Sequence, residues 1–493
     1  MAGPAIIPGT AAAAPDARLL LRGGLLIDGS GAKPRPADLL VEGETIAAVL
    51  EPGTGAAGPH TVIDIAGRVI APGFIDSHTH DDGYLLAHPE MVPKVSQGVT
   101  TVVTGNCGIS LAPVPPGRAL PQPLDLLGPP DLFRYPDFHA WMQALRDAPA
   151  AVNVIPLVGH ASLRVSAMDD LQRTATPEEC ERMARLLEEA LEAGAFGMST
   201  GTFYPPAQHA TTQEIIDIGE AMRGRASMVY ATHLRDESDH IDAAIEEALD
   251  IGRALGARVV FSHHKLAGER NHGRSVETLT RIDRAGLLQP VCLDCHPYPA
   301  TSTMLRLDRV RLARRTLIAW SRGEPSAQGR DYADLQREWA LDDNAMLQRL
   351  APAGAIYFLM DERDVERILA HPRTMVGSDG LPFDPHPHPR QWGTFTRVLS
   401  RLVRDQGLLT LEAAIHKMTG LAAENYGLAD RGLLRAGWKA DLVVFDAAQV
   451  QDVATFDRPV QASRGIDGVW VNGRQVWDGR QPTGLRPGRV LER

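Results

Sequence analysis

Two histidines stand one residue apart at the end of an apolar run, in Asp76-Ser77-His78-Thr79-His80. Residues i and i+2 of an extended chain project to the same side, so both imidazoles leave the strand end on one face. Two converging imidazoles at the end of a buried strand suit a divalent transition metal. An isolated His-x-His pair can equally be a surface accident, so the prediction depends on partners elsewhere in the chain.

Four further strand-like runs end in side chains that bind metals, and they lead to Cys107, His233, His263 and Asp379. Thiolate, imidazole and carboxylate ligands together suit Zn²⁺ better than calcium or magnesium, which prefer oxygen. Each residue alone is more often an ordinary core or loop residue. Five apolar runs that all end in a ligand-type side chain favour a metal site. At strand period His263 shares a face with Lys265, so we expect His263 rather than its neighbour His264 to bind the metal.

Composition restricts the partners. The chain has 493 residues, 44% hydrophobic and 23% charged, which is ordinary for a soluble globular protein. Its net charge of -11 argues against nucleic acid and anionic membranes, which need basic patches. The stretch from Met1 to Pro15 is rich in Ala, Pro and Gly and lacks a basic n-region. We therefore expect residues 1–17 to be a disordered leader and the protein to be cytoplasmic.

The middle of the chain alternates strand-like and helix-like segments. Helical spacing of apolar residues predicts helices over Pro177 to Ala193 and Glu237 to Leu255. Eight strand candidates end near His80, Cys107, His160, Thr200, His233, His263, His296 and Asp379. This rhythm predicts an α/β fold, a (β/α)8 TIM-like barrel over residues 69–427, with its active site at the carboxyl ends of the strands. The candidate ligands all fall at such ends.

The two ends of the chain contain short strands separated by turns, including the hairpin signal Asn472-Gly473. We expect residues 18–68 and 428–493 to form one small β-sandwich beside the barrel. Between residues 300 and 352 the strand-helix rhythm breaks, and Asp331 to Leu350 has a helical pattern. An insertion of this length between strands seven and eight would leave from the catalytic face. It favours a lid over a solvated appendage.

With these residues in place, the chain resembles the N-acyl-D-amino-acid deacylases (D-aminoacylases) of the amidohydrolase superfamily over nearly its whole length. The resemblance rests on the motifs Gly73-Phe74-Ile75-Asp76-Ser77-His78-Thr79-His80, Thr104-Gly105-Asn106-Cys107-Gly108, Ser199-Thr200-Gly201-Thr202-Phe203-Tyr204-Pro205-Pro206, Ala231-Thr232-His233-Leu234-Arg235, Ser262-His263-His264-Lys265, Gly377-Ser378-Asp379-Gly380 and Pro387-His388-Pro389-Arg390. It implies a barrel with a sandwich domain and zinc-dependent hydrolysis of the amide between an acyl group and a D-amino acid.

The resemblance further implies one tight zinc site of Cys107, His233 and His263, and a second, looser site of His78, His80 and Asp379. Cyclic-amide hydrolases such as hydantoinases and dihydroorotases are the alternative on the same barrel. They carry a metal-bridging lysine on strand four, whereas Gly194 to Thr200 contains none here. A non-catalytic scaffold is disfavoured because all the ligand residues are intact.

Amide hydrolysis also needs a proton carrier and a site for the substrate. Asp379 can take the proton of water and return it to the amine, although it could instead cap the next helix. Lys265 and Arg390 are candidates to bind the α-carboxylate, and the family pattern adds Tyr298 as a hydroxyl donor. Phe203, Tyr204, Tyr357 and Met360 either line a side-chain pocket or belong to the core. Because these four include no cation, they predict a substrate with an apolar side chain.

Overall fold

The computed structural model describes residues 18–492, so the predicted leader at 1–17 lies outside the described residues. The strands are β1 Arg18–Leu26, β2 Arg35–Glu42, β3 Thr45–Leu50, β4 Thr61–Asp64, β5 Val69–Pro72, β6 Phe74–Asp76, β7 Val99–Thr104, β8 Asn153–Pro156, β9 Val158–Gly159, β10 Gly197–Gly201, β11 Val229–His233, β12 Arg258–Phe261, β13 Val291–Cys295, β14 Ala300–Met304, β15 Arg315–Ser321, β16 Ala353–Phe358, β17 Thr374–Val376, β18 Leu442–Phe445, β19 Ile466–Val471 and β20 Arg474–Trp477. The α-helices are α1 Tyr84–Ala87, α2 Val92–Val95, α3 Phe138–Asp147, α4 His160–Ala167, α5 Pro177–Glu192, α6 Thr212–Gly219, α7 Ile241–Leu255, α8 Ser275–Ala285, α9 Leu307–Leu312, α10 Tyr332–Trp339, α11 Asp343–Leu350, α12 Glu362–Ala370, α13 Arg390–Arg397, α14 Leu411–Met418 and α15 Gly420–Tyr426.

Parallel strands from the middle of the chain form the centre of the molecule. One sheet has the order β17-β13-β12-β11-β10-β9 and the other has the order β6-β7-β8. Only Leu157 separates β8 from β9, so the two sheets join there. At their other ends β6 and β17 meet through a hydrogen bond from the Ser77 amide to the Val376 carbonyl and a parallel bridge between Thr79 and Gly380. The arrangement is of the TIM-barrel type, with all carboxyl strand ends on one side.

The helices between these strands begin and end where the sequence signals them. Thr176 caps α5 in a capping box with Glu179, and Pro177 occupies the first turn. Met183, Leu187 and other apolar residues at helical spacing are buried. Helix α7 begins at Ile241, four residues after the predicted start at Glu237. The Asp236 side chain accepts backbone hydrogen bonds from the next residues and holds a turn there. That turn directs Glu237 toward the strand ends.

Strands from both ends of the chain share one mixed sheet, in the order β20-β19-β18-β5-β1-β2-β3, with β4 beside β1. Strand β5 pairs with β18 in antiparallel fashion and with β1 in parallel fashion. Ile70 packs in the core of this sheet with Leu442 and Trp470. Strand β5, which begins at the predicted boundary between residues 68 and 69, therefore lies in the terminal sheet.

The insertion has a sheet of its own, in which β16 lies between β14 and β15 in antiparallel pairing. The predicted end at residue 352 is therefore too early, since β16 completes this sheet and ends at Phe358. Helices α9, α10 and α11 lie between β14 and β16 in the chain.

The strand predicted to end near His296 is short. It runs from Val291 to Cys295, and Leu287 and Leu288 lie in an exposed turn after α8. Hydropathy alone did not distinguish these exposed leucines from strand residues. No helix between residues 18 and 492 has the length and apolar character needed to span a bilayer.

Candidate active site

The six predicted ligands converge at the carboxyl ends of the parallel strands. His78, His80, Cys107 and Asp379 form one group, and Cys107, His233 and His263 form a second, so Cys107 belongs to both. Within each group the possible ligand atoms lie within 4.8 Å of one another, and all of these residues are buried. The Cys107 Sγ atom is 3.2 Å from Nε2 of His78 and 3.2 Å from Nε2 of His263.

These atoms fit a tetrahedral metal. Zinc bonds of the usual length place neighbouring ligand atoms about 3.4 Å apart, close to the spacing around Cys107. Both ring nitrogens of His233 are buried without a hydrogen-bond partner among the described residues, as is Nδ1 of His80. Burial holds the pKa of the Cys107 thiol well above its usual value, although Lys265 acts in the opposite direction. A bound cation would relieve both the unpaired nitrogens and the buried thiol.

Three of the six ligand residues have left-handed backbone conformations. The φ angles are +53° at Cys107, +35° at His263 and +50° at Asp379. Such conformations cost residues other than glycine roughly 1–3 kcal/mol each and cluster at functional sites. Beside Cys107, Gly108 approaches β10 so closely that a Cβ atom on it would lie 2.6 Å from the Gly201 amide nitrogen. The tight turn after β7 thus brings Cys107 over the strand ends.

Two buried carboxylates orient the histidine rings, and the motif analysis did not identify either of them. Asp294 on β13 lies 3.3 Å from Nδ1 of His78 and accepts a 2.8 Å hydrogen bond from the His263 amide. Glu237 Oε1 lies 3.2 Å from Nδ1 of His263. A carboxylate that accepts the Nδ1 proton leaves the Nε2 lone pair for a metal. Two signals were available: an aspartate inside an apolar strand, and a glutamate four residues after His233.

The electrostatics of Asp379 suit a proton acceptor. Its Oδ2 atom is 2.7 Å from Nη1 of Arg390, and its Oδ1 atom is 3.3 Å from Nε2 of His80. Burial alone would raise the pKa of Asp379, but the charge of Arg390 and the neighbouring histidines hold it well below the usual value. Asp379 is therefore ionised at neutral pH and free to accept a proton, although its low pKa makes it a weak base.

Arg390 lies behind the wall of the site. Besides Asp379, its guanidinium contacts His296 Nε2 at 3.1 Å, Thr301 Oγ1 at 3.2 Å and the Ser302 carbonyl at 3.2 Å. Its amide donates a hydrogen bond to Nδ1 of His388. His264 points away from the ligand group and contacts Thr278 on α8.

A closed cavity of about 20 Å³ lies beside the ligand groups. Its lining consists of Phe203, Tyr204, His233, Glu237, His263, Lys265, Thr301, Ser302, Thr303, Arg309, Tyr357, Leu359 and Asp379. Lys265 pairs there with Glu237 and lies 2.6 Å from Nδ1 of His263. Of the predicted pocket residues, Phe203, Tyr204 and Tyr357 line this cavity.

The structure places two of the predicted substrate contacts outside the cavity lining. Tyr298 does not line the cavity, because the chain turns at Pro297 and packs the tyrosine ring against His388 and Phe456. His296, two residues earlier, contacts Arg390 instead. Met360 is buried outside the cavity wall, and the adjacent Leu359 takes the place predicted for it.

The prediction of an apolar side-chain pocket assumed that the pocket contains no cation, but the structure places one there. Arg309 on α9 lines the cavity, and its guanidinium carbon lies 4.2 Å from the centroid of the Phe203 ring. Arg309 is 6% exposed and forms no salt bridge with any carboxylate between residues 18 and 492. The motif analysis missed it because it comes from the insertion, where arginines are common and only the folded chain shows which one reaches the site.

A model of the amidohydrolase family matches residues 61–247 and 306–477. N-acyl-D-aspartate deacylase of Alcaligenes xylosoxydans xylosoxydans is 67% identical over 96% of this chain and 95% of its own. A solved structure of D-aminoacylase, described as having a binuclear metal centre, has a TM-score of 0.94 at 53% identity and covers 96% of this chain and 99% of its own.

N-acyl-D-glutamate deacylase of Bordetella bronchiseptica was solved with zinc and a phosphonate that mimics the tetrahedral intermediate. That structure has a TM-score of 0.92 at 46% identity and covers 97% of this chain and 100% of its own. By these similarities over nearly its full length, the chain belongs to the amidohydrolase family and, within it, to the N-acyl-D-amino-acid deacylases.

Proposed function

We propose that the protein hydrolyses N-acyl-D-amino acids to a carboxylate and a free D-amino acid in a zinc-dependent reaction, and that its substrate has an acidic side chain. The observation that carries this proposal is the cavity in which a metal-ligand set, an ionised aspartate and the unpaired cation of Arg309 lie together. The relatives named for N-acyl-D-aspartate and N-acyl-D-glutamate support the same substrate class.

Cys107, His233 and His263 would hold the first zinc ion, and His78, His80 and Asp379 would hold a second, with Cys107 shared. A bound zinc ion polarises a carbonyl oxygen and lowers the pKa of a coordinated water to about 7. Asp294 accepts the Nδ1 proton of His78 and so keeps its Nε2 atom available, and Glu237 lies beside the His263 ring together with the Lys265 ammonium.

Asp379 carries the proton. As an ionised carboxylate it accepts a proton from the attacking water and passes it to the amide nitrogen as the C–N bond breaks. The 2.7 Å contact with Arg390 fixes the carboxylate and maintains its charge before the reaction.

The α-carboxylate of the substrate binds near Lys265, whose ammonium lines the cavity and is held by Glu237. Arg390 supports this subsite from behind Thr301 and Ser302. The second carboxylate of an acidic substrate binds Arg309, which has no competing acidic partner in the described chain. Two separate cations therefore match the two carboxylates of an N-acyl-D-aspartate.

The insertion acts as the lid of this site. Its residues Thr301, Ser302, Thr303, Arg309 and Tyr357 supply part of the cavity wall, so the insertion would open to admit the substrate and, once closed over it, exclude water from the reacting amide. We place the catalytic barrel between Phe74 and residue 427, closed as a ring of eight strands, and the accessory sheet in the two terminal segments.

A substrate panel tests the proposal. The purified protein with a known zinc content is assayed on N-acetyl derivatives of D-aspartate, D-glutamate, D-methionine and L-aspartate, with a hydantoin as the control for a cyclic amide. We expect the highest kcat/KM on N-acetyl-D-aspartate and no turnover of the L-enantiomer or the hydantoin. A higher kcat/KM on N-acetyl-D-methionine would overturn the assignment of an acidic side chain.

A further inference from the structure

A buried lysine connects the two strand ends that carry most of the second ligand group. Lys94 lies on the short helix α2 and is fully buried. Its Nζ atom is 2.8 Å from Asp76 Oδ2, 2.9 Å from Ser378 Oγ and 3.2 Å from Asp81 Oδ2. Asp76 closes β6, and Ser378 follows β17, so a single ammonium group contacts both ends.

The contacts continue directly into the ligand residues. Asp76 Oδ1 accepts a 2.7 Å hydrogen bond from the Ser378 amide, which immediately precedes Asp379. The Asp379 amide donates to the His78 carbonyl at 2.8 Å. Asp81 directly follows His80. Each polar group around Lys94 is thus within two residues of His78, His80 or Asp379.

These side chains matter because the backbone seam between β6 and β17 is sparse. The two strands have three residues each, and in residues 18–492 their junction has isolated hydrogen bonds and one bridge in place of a regular ladder. By contrast, β11, which carries His233, pairs with β10 over five residues and with β12 over four. His233 of the first ligand group is therefore placed by regular sheet pairing, whereas the position of Asp379 relative to His78 and His80 depends on the seam.

Lys94 is charged in this environment. Burial alone lowers the pKa of a lysine, but the attraction of Asp76 and Asp81 outweighs burial and raises it above the usual value. An ammonium with two hydrogen-bond acceptors and a third contact to a carboxylate has one preferred position, so it restricts the separation of the groups that it binds.

We propose that Lys94 is a positioning residue for the second metal ion: by joining Asp76 to Ser378 it sets the separation of His78 and His80 from Asp379. This inference rests on the proposed zinc dependence, but it concerns metal affinity and not the choice of substrate. Loss of Lys94 should weaken the second zinc site and leave the site of Cys107, His233 and His263 intact.

Zinc titration of the holoenzyme against a competing chelator tests this proposal without substrate. For Lys94→Met we expect at least about tenfold weaker binding of the second zinc, as for loss of other groups that orient metal ligands, and unchanged affinity for the first. Lys417→Met is the matched control. Lys417 is also buried, but its Nζ atom donates to the carbonyls of His371 and Thr374 at the opposite end of β17.

Unchanged affinity for the second zinc in Lys94→Met would overturn the proposal, as would equal weakening in Lys417→Met. If Lys94→Met does not fold, Ser378→Ala provides the test, because this substitution removes one acceptor of the Lys94 ammonium and no buried charge. It should weaken the second zinc several-fold, and an unchanged affinity would refute the positioning role. If the parent binds two zinc ions but hydrolyses no N-acyl-D-amino acid, the proposed function fails while this inference stands.

Discussion

Replacing Arg309 by methionine should abolish the preference of the enzyme for substrates with an acidic side chain. The Arg309 guanidinium is nearly buried and lies over the Phe203 ring. It lacks an acidic partner in the described residues, so a substrate carboxylate would be the first acidic group to pair with it. A charge-assisted hydrogen bond contributes about 1.5–3 kcal/mol. Its loss corresponds to a decrease of roughly 10- to 150-fold in kcat/KM. Methionine keeps most of the apolar stem that packs on Phe203, so the change removes mainly the charge.

Arg306→Met provides the matched control. The Arg306 guanidinium carbon is 4.4 Å from the same ring centroid, but Asp308 already pairs with it at 2.9 Å and Arg306 does not line the cavity. The assay compares kcat/KM on N-acetyl-D-aspartate and N-acetyl-D-methionine for the parent and both variants. Arg309→Met should lose activity on the aspartate derivative alone, and Arg306→Met should change neither value by more than about twofold. An equal loss on both substrates in Arg309→Met would show that Arg309 supports the wall and does not recognise the side chain.

Four further substitutions probe the rest of the site and the fold. Cys107→Ala should abolish tight zinc binding by metal analysis, since Cys107 belongs to both ligand groups; full zinc content would contradict its assignment. Asp379→Ala should lower kcat by about 10²- to 10⁴-fold while the first zinc remains, and a loss of only a few-fold would identify another proton carrier. Arg390→Ala should reduce kcat/KM on an N-acyl-D-amino acid and on its carboxamide alike, because Arg390 acts through Asp379 from behind the cavity wall; a loss confined to the free carboxylate would show that Arg390 binds the substrate directly. His160 and Arg164 lower the pKa of Glu214 to about 2 despite its burial. The stabilisation of the folded state by the ionised Glu214 carboxylate is therefore complete above its unfolded pKa of about 4.5 and declines as the pH falls toward 2. In urea unfolding, the stability gap between the parent and Glu214→Gln should narrow over that interval, and a gap independent of pH would refute the argument.

The ligand residues could be identified from the sequence because local rules govern them. Each follows an apolar run at a strand end, and the side-chain types already specify a transition metal. The same rules located α5 to within a residue, because a capping box and apolar residues at helical spacing are local features. Motifs that match a known family added the roles of these residues.

The residues that the sequence did not reveal act over long separations. Arg309 reaches the cavity from an insertion, Asp294 meets His78 across 216 positions, and Lys94 meets Ser378 across 284. No local pattern marks an arginine or a lysine for such contacts, and the position of Asp294 inside an apolar strand does not reveal its partner. The family pattern assigned Tyr298 to the substrate, but the chain turns at Pro297 and packs the tyrosine ring away from the cavity.

The sequence by itself determined the parallel α/β organisation, the six residues that converge at the strand ends and the class of reaction, because periodicity, residue type and motif are properties of short segments. Only the tertiary structure decided which cations line the cavity, which carboxylates lie beside the histidine rings and which strands share the terminal sheet. Those properties depend on distances between segments far apart in the chain, and packing fixes these distances only when the whole fold has formed.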